Sequence, residues 1–127
     1  MVETAARPLL SRTSSGLGGT VMVPGDKSIS HRALMLGATA LGETVITGLL
    51  EAEDVLNTAR AMGALGASLE RRGKGEWRVR GVGVGGYAQP SEPLDFGNSG
   101  TGARLCAGLL ATTPITARLV GDASLSR

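Results

Sequence analysis

Two stretches of the sequence share one pattern, and this repetition narrows the folds that the chain can adopt. In Gly25–Arg32 and Gly97–Arg104, an arginine stands seven positions after a glycine, Asp or Asn directly follows the glycine, and a hydroxyl residue lies between. An apolar helical pattern begins within each stretch. A motif that recurs at the same place relative to a helix indicates repeated supersecondary units. We therefore expect a fold built from repeats.

Hydrophobic periodicity and turn residues predict an α/β protein. Helices with a wide apolar face are predicted over residues 28–41, 54–65 and 100–111. Strands are predicted over residues 20–23, 43–49, 67–71, 76–80, 94–96 and 117–120. The third and fourth strands form a predicted hairpin around residues 73–75. The order is β-α-β-α-β-β followed by β-α-β, so the second block repeats the beginning of the first.

This order predicts a tail and one incomplete lobe. Residues 20–81 form a full predicted repeat, and residues 94–127 form part of a second one. Residues 1–19 end in a glycine-rich run and are expected to be a tail or hinge segment. Because the second repeat lacks its later elements, the chain is expected to stop in mid-pattern.

The composition argues against several classes of function. A net charge of +2, dispersed basic residues and an aromatic content of 2% argue against nucleic-acid binding. Cys106 is the only cysteine and His31 the only histidine, so neither a disulfide framework nor a cysteine-based zinc site is expected. No apolar run approaches the ~20 residues of a membrane span, and the N-terminus lacks the apolar core of a signal peptide. A folded cytoplasmic protein is predicted.

The first of the two loops carries three groups that bind anions. Lys27, Ser28 and Arg32 lie around the start of a predicted helix, where unpaired backbone N–H groups and the helix dipole favour negative charge. Cations at this position are unfavourable by ~0.3–1 kcal/mol each, so two of them favour a compensating anion. A solvated first turn is the alternative. The preferred interpretation is a site for a phosphorylated or carboxylated small molecule.

The second loop is a weaker candidate for the same chemistry. Asn98, Ser99, Gly100, Thr101 and Arg104 precede or begin the third predicted helix. Glycines in such a loop allow backbone N–H groups to approach a ligand closely. An ordinary helix cap with a surface arginine is the alternative, and the likeness to the first loop favours ligand contact.

Other polar residues have simpler explanations. Glu51, Glu53 and Asp54 precede the second helix, and helix capping by Asp54 accounts for them better than a metal site. His31 is interpreted as a packing or hydrogen-bonding residue rather than a catalytic base. Cys106 falls in the apolar part of the third helix and is predicted to be a core residue.

Three motifs together identify a family resemblance. Pro24–Arg32, Asp95–Arg104 and Gly121–Leu125 resemble the 5-enolpyruvylshikimate-3-phosphate (EPSP) synthase family, the 3-phosphoshikimate 1-carboxyvinyltransferases, and most of all its bacterial class II type. The likeness runs from about Arg12 to the end of the chain. It implies a transferase of the shikimate pathway, which serves aromatic amino-acid biosynthesis. The implied reaction transfers the enolpyruvyl group of phosphoenolpyruvate to the 5-hydroxyl of shikimate 3-phosphate, and it needs no metal or organic cofactor.

The resemblance also implies a fold and a set of site residues. The family fold, an inside-out α/β barrel, has two lobes, each with three β-α-β-α-β-β units and with ligands between the lobes. Lys27, Ser28 and Arg32 match residues that hold shikimate 3-phosphate, and Lys27 also reaches phosphoenolpyruvate as a catalytic residue. The phosphoenolpyruvate and glyphosate side is matched by Asn98, Ser99, Gly100, Thr101 and Arg104. Some glyphosate-tolerant relatives have alanine at the position of Gly100, so tolerance is not implied here.

Length separates this chain from the family. Full members have over three times as many residues, so the resemblance implies that residues 20–127 need a complementary C-terminal fragment for activity. Residues 1–19 would pack with the opposite lobe, and Arg127 would neighbour a phosphoenolpyruvate-binding arginine. Whether a truncation is natural, proteolytic or engineered stays open.

Two alternatives to this function remain. One is a UDP-N-acetylglucosamine enolpyruvyl transferase, which usually has Ala-Lys-Asn in place of Asp26-Lys27-Ser28 and a catalytic cysteine in a mobile loop. Cys106 lies instead in a predicted helix. The other is a non-catalytic fragment whose role is assembly with its other half.

Overall fold

The computed structural model describes residues 8–126 and confirms the α/β class. The three helices are α1 (Lys27–Thr39), α2 (Glu53–Ala64) and α3 (Gly100–Leu110). The strands are β1 (Leu41–Ile46), β2 (Ser68–Gly73), β3 (Glu76–Val82), β4 (Leu94–Asp95) and β5 (Leu119–Val120). No helix among residues 8–126 is long and apolar enough to span a membrane.

The larger sheet is antiparallel, with β3 between β1 and β2. The predicted hairpin is confirmed, because β2 and β3 pair across a turn at Lys74-Gly75, where Gly75 has a φ of +70°. Trp77 and Val79 are buried on one face of β3, whereas the arginines at positions 78 and 80 are exposed on the other. This alternation gives the sheet one face for the core and one for solvent.

Helices α1 and α2 cover the buried face of the sheet. Leu34, Val55, Met62 and Val79 have no exposed surface and form the centre of the core. The C-terminal end of α1 lies directly against β3 at Gly81, where a Cβ atom would be 2.2 Å from the carbonyl oxygen of residue 40. Glycine therefore permits the helix and sheet backbones to approach closely.

The smaller sheet belongs to the second block of the chain. β4 and β5 are parallel, and α3 connects them in the predicted β-α-β order. Phe96 and Cys106 are fully buried and join this unit to the core around α1 and α2. The interpretation of Cys106 as a core residue is confirmed.

The strand predicted over residues 20–23 is wrong, since these residues have no strand structure. Val21, Met22 and Val23 are all largely exposed. A β-branched stretch needs a neighbouring strand to pair its backbone groups, and within residues 8–126 none pairs with this one. Residues 1–7 of the predicted tail, and Arg127, lie outside the described residues.

The capping role predicted for Asp54 is also wrong. Ala52 occupies the N-cap of α2 without a side-chain hydrogen bond, and Glu53 and Asp54 lie in the first turn. Glu51 instead accepts hydrogen bonds from the β2–β3 hairpin, and Asp54 is paired with α1. Both partners are distant in sequence, which is why local spacing did not reveal them.

Candidate functional site

Hydrogen bonds and close backbone packing fix the position of the first loop at the start of α1. Asp26 is the N-cap of α1, and its Oδ1 accepts a hydrogen bond of 2.7 Å from the N–H of Ile29. Ser30 Oγ donates to the carbonyl of Asp26 and accepts from the N–H of Leu50. A Cβ atom at Gly25 would lie 2.0 Å from the carbonyl oxygen of residue 48, so only glycine fits this approach. These contacts hold the start of α1, and with it the backbone of Lys27.

Lys27 is paired with an acid that the sequence pattern had assigned to capping. Its Nζ lies 3.1 Å from Asp54 Oδ2, with the lysine side chain 56% exposed and the aspartate 13% exposed. Burial raises the pKa of Asp54, but the hydrogen bond and charge of Lys27 outweigh it and leave that pKa below its usual value. The pair therefore consists of two charged groups at the surface of a partly enclosed site.

His31 lies behind this pair and is fully buried. Its Nδ1 is 2.8 Å from Thr58 Oγ1, which confirms a hydrogen-bonding role. Its Nε2 is 3.8 Å from Asp54 Oδ2 and has no hydrogen-bond partner within residues 8–126. Burial lowers the pKa of His31, Asp54 partly offsets this, and Lys27 lowers the pKa further. Burial therefore favours the neutral form of His31.

The second loop is built in the same way as the first. Ser99 is the N-cap of α3, and its Oγ accepts a hydrogen bond of 3.1 Å from the N–H of Gly102. Asp95 Oδ1 accepts from the N–H of Gly97, whose φ of +54° favours glycine. The carbonyl of Gly97 also accepts a hydrogen bond from the N–H of Asp122, so the segment that follows β5 is bonded directly to this loop.

A cleft of about 490 Å³ joins the two loops. It is lined by Lys27, Asp54, Asn98, Ser99, Gly100, Thr101, Arg104 and Ser124. The structure thus brings Lys27 together with all five residues predicted in the second loop. Asp54 and Ser124 were missed. The Gly121–Leu125 motif contained the signal for Ser124, whereas no local signal pointed to Asp54, which lies 27 positions from Lys27 in the sequence.

Ser28 and Arg32 do not line this cleft. Arg32 Nη1 donates to Ser28 Oγ at 2.5 Å and to the Ser28 carbonyl at 3.0 Å, so the two residues contact one another one turn apart on α1. Ser28 and Arg32 are thus neighbours at positions i and i+4, on an exposed part of the helix beside Lys27.

The charges of the cleft suit an anion. Lys27 and Arg104 contribute two positive charges against the single carboxylate of Asp54, and α3 begins at the cleft with its backbone N–H groups. A Cβ atom at Gly100 would lie 2.6 Å from Arg104 Nη1, so the guanidinium packs over this glycine. Among residues 8–126 there is no group of three His, Cys, Asp or Glu side chains that could hold a metal.

A second hollow, of about 410 Å³, lies between α2 and the hairpin and is much less polar. It is lined by Leu56, Ala59, Arg60, Gly63, Ala67, Leu69 and Trp77. Arg60, its one charged group, donates a hydrogen bond to Asn57. The hollow therefore lacks the paired charges that make the first cleft the candidate site.

Comparison with known sequences identifies the family. The sequence model of EPSP synthase (3-phosphoshikimate 1-carboxyvinyltransferase) matches residues 11–127, which is most of the chain. The chain belongs to the EPSP synthase family. The resemblance seen in the loop motifs is thereby confirmed.

Individual EPSP synthase relatives are close in sequence and in structure. A 3-phosphoshikimate 1-carboxyvinyltransferase of Afipia carboxidovorans is 69% identical over 93% of this chain, and one of Paracoccus denitrificans is 66% identical over 94%. A solved EPSP synthase from Acinetobacter baumannii superposes with a TM-score of 0.81 at 47% identity over 86% of the chain. The chain spans 27% of the length of each of these two relatives and 25% of the solved structure.

Proposed function

We propose that this chain is part of a 3-phosphoshikimate 1-carboxyvinyltransferase. In the proposed reaction the enolpyruvyl group of phosphoenolpyruvate is transferred to the 5-hydroxyl of shikimate 3-phosphate, and phosphate is released. The observation that carries this proposal is the cleft in which Lys27 faces the loop at the start of α3. The names of the relatives favour this function over a UDP-sugar enolpyruvyl transferase. The proposed location is the cytoplasm.

We assign the two substrates to binding residues according to the charges of the two loops. Lys27 and Arg104 bind the phosphate and carboxylate of phosphoenolpyruvate, together with N–H and hydroxyl groups of Asn98–Thr101. Ser28 and Arg32 bind shikimate 3-phosphate beside them, together with Lys27. Both substrates are anionic, so fixed cations hold them in contact. The same cations stabilise the negative charge of the phosphate as it is released. Lys27 is the proposed catalytic residue because it lies between the two binding regions.

The proposed reaction requires more protein than this chain provides. Relatives at 66–69% identity are about four times as long, and two of the three residues proposed to bind shikimate 3-phosphate, Ser28 and Arg32, lie on an exposed part of α1 outside the cleft. We propose that a complementary polypeptide, equivalent to the rest of such a relative, completes the site. It would cover the apolar side chains that are largely exposed in this chain, among them Leu17, Val21 and Met22.

The test measures phosphate release and ligand binding in a reconstituted mixture. The chain is combined with a polypeptide that covers the remaining length of the Paracoccus denitrificans relative, and both substrates are added. Turnover is expected for the mixture and not for either part alone. Lys27→Met is expected to reduce turnover at least ~100-fold, since it removes a preorganised charge. The matched control is Lys74→Met, in the exposed hairpin turn, which should leave turnover unchanged.

Two results would contradict the proposal. One is a folded, associated mixture that binds neither substrate, which would leave assembly as the only role of the chain. The other is full activity in the Lys27→Met variant, which would remove Lys27 from the site.

A further inference from the structure

His31 Nε2 is the one buried side-chain nitrogen or oxygen in residues 8–126 without a hydrogen bond. Such atoms are rare because burial removes their hydration and nothing replaces it. This nitrogen is not isolated, however, because the carboxylate of Asp54 lies 3.8 Å away. The separation is about 1 Å longer than an N–H···O hydrogen bond. His31 therefore has a potential partner that it does not yet contact.

The ion pair between Lys27 and Asp54 explains why Asp54 does not form a hydrogen bond with His31. Lys27 Nζ lies 3.1 Å from the same oxygen of Asp54, and that ion pair already neutralises the carboxylate. Lys27 is also the most exposed of the three groups and lines the cleft with Asp54. An anion that enters the cleft competes with Asp54 for the ammonium group of Lys27.

We propose that His31 is a positioning residue that exchanges with Lys27 as the partner of Asp54. In the empty cleft, Lys27 is held by Asp54. When an anion draws Lys27 into the cleft, His31 Nε2 takes up a proton from solvent and donates it in a hydrogen bond to the Asp54 carboxylate. The step involving an anion rests on the proposed function, whereas the exchange between Lys27 and His31 does not.

The charges balance in both states. Before binding, Lys27 and Asp54 form an ion pair and His31 is neutral. After binding, Lys27 is paired with the anion, and protonated His31 is paired with Asp54. One proton has been added at Nε2 and no covalent bond other than this N–H has formed. Anion binding is therefore coupled to proton uptake.

The surroundings of His31 agree with this exchange. The charged groups that act on its ring within the described residues are Asp54 on α2, and Lys27 and Arg32 on α1. Asp54 raises the pKa of His31, and the two cations lower it. Thr58 Oγ1 donates to the carbonyl of Asp54 at 3.3 Å, so it accepts from His31 Nδ1–H at 2.8 Å. In the neutral ring Nε2 is therefore the nitrogen without a proton, and it is directed at Asp54. When Lys27 moves away, it lowers the pKa of His31 less, and Asp54 loses the cation with which it was paired.

The test uses the fact that His31 is the only histidine of the 127-residue chain. Its single imidazole signal is titrated by NMR in the wild-type chain and in Lys27→Met, Asp54→Asn and Lys27→Met/Asp54→Asn. None of these variants removes a fully buried side chain. Lys27→Met should raise the pKa of His31 relative to wild type, and Asp54→Asn should lower it. In the double variant the effect of Lys27→Met should shrink, because the coupling passes through Asp54.

Two results would overturn the exchange. One is a His31 pKa that does not move in Lys27→Met. The other is an equal effect of Lys27→Met with and without Asp54, which would mean direct repulsion by the lysine and no exchange of partners. Neither measurement needs a ligand, so failure of the exchange is distinguishable from failure of the proposed function.

A second measurement adds the anion. Phosphoenolpyruvate is titrated calorimetrically into the chain with its complementary polypeptide, at pH 7.5 in two buffers of different ionisation enthalpy. Wild type should take up protons on binding, and the uptake should be lost in Asp54→Asn. Binding without proton uptake would contradict the exchange, and absence of binding would contradict the proposed function.

Discussion

Individual side chains in this protein make contacts that join elements far apart in sequence. Glu51 is the clearest case. Its Oε1 accepts hydrogen bonds from Arg71 Nε at 2.7 Å, Trp77 Nε1 at 3.0 Å and the N–H of Gly75 at 3.1 Å. One carboxylate thereby ties the segment before α2 to both strands and the turn of the hairpin.

This arrangement predicts a pH dependence of stability. The hydrogen bond from Arg71, with those from Gly75 and Trp77, lowers the pKa of Glu51 from 4.5 to about 2. A carboxyl whose pKa is lower in the folded state stabilises the fold above its unfolded pKa, and loses that contribution as the pH falls towards the folded value. Wild type should therefore lose stability between pH 4.5 and pH 2 more steeply than Glu51→Gln.

Urea unfolding at a series of pH values checks this expectation. Glu92→Gln is the matched control, because Glu92 is an exposed loop residue. The control should follow wild type through the acid range. Parallel curves for wild type and Glu51→Gln would show that the hydrogen bonds to Glu51 do not stabilise the folded chain.

At the scale of elements, close backbone contact is the feature that determines how α1 meets the sheet. A Cβ atom at Gly81 in β3 would lie 2.2–2.7 Å from three carbonyl oxygens near the end of α1. Backbone atoms have little freedom to move, so Gly81→Ala should separate the helix from the strand. We expect a loss of about 1–3 kcal/mol in the free energy of unfolding, as for other overpacked sites.

Gly108→Ala is the matched control for that substitution. Gly108 lies within α3, and a Cβ atom there would meet nothing within 4 Å. Alanine should stabilise the helix by up to ~1 kcal/mol, because it restricts the unfolded chain and favours helix. Chemical denaturation of both variants measures the difference. Equal effects of the two substitutions would contradict the packing explanation.

Some of the helices, strands and contacts could be predicted from the sequence, and others could not. Helices α1, α2 and α3 were predictable from apolar periodicity, and each begins within one residue of its predicted start. The strand at residues 20–23 was not, because strand formation depends on a neighbour rather than on propensity alone. The pairing of Lys27 with Asp54 joins residues 27 positions apart, and only the packing of α1 on α2 brings them together.

At the scale of the whole molecule, the two stretches that share a sequence pattern, Gly25–Arg32 and Gly97–Arg104, both contribute residues to one cleft. Each of the two stretches contains a residue whose side chain caps the following helix, and both helices pack into the same core. Sequence could therefore predict the two halves of the site separately. It could not predict that Lys27 would face the second loop while Ser28 and Arg32 lie outside the cleft.

We propose that the two loops bind one anion together. The most direct test is an NMR titration with phosphoenolpyruvate, in which the isotopically labelled chain is mixed with its unlabelled complementary polypeptide. The backbone amide signals of Lys27 and of Asn98–Thr101 should shift along a single binding curve with one Kd, while those of the hairpin turn at Lys74-Gly75 stay in place. Shifts confined to one loop, or different Kd values for the two loops, would contradict the claim.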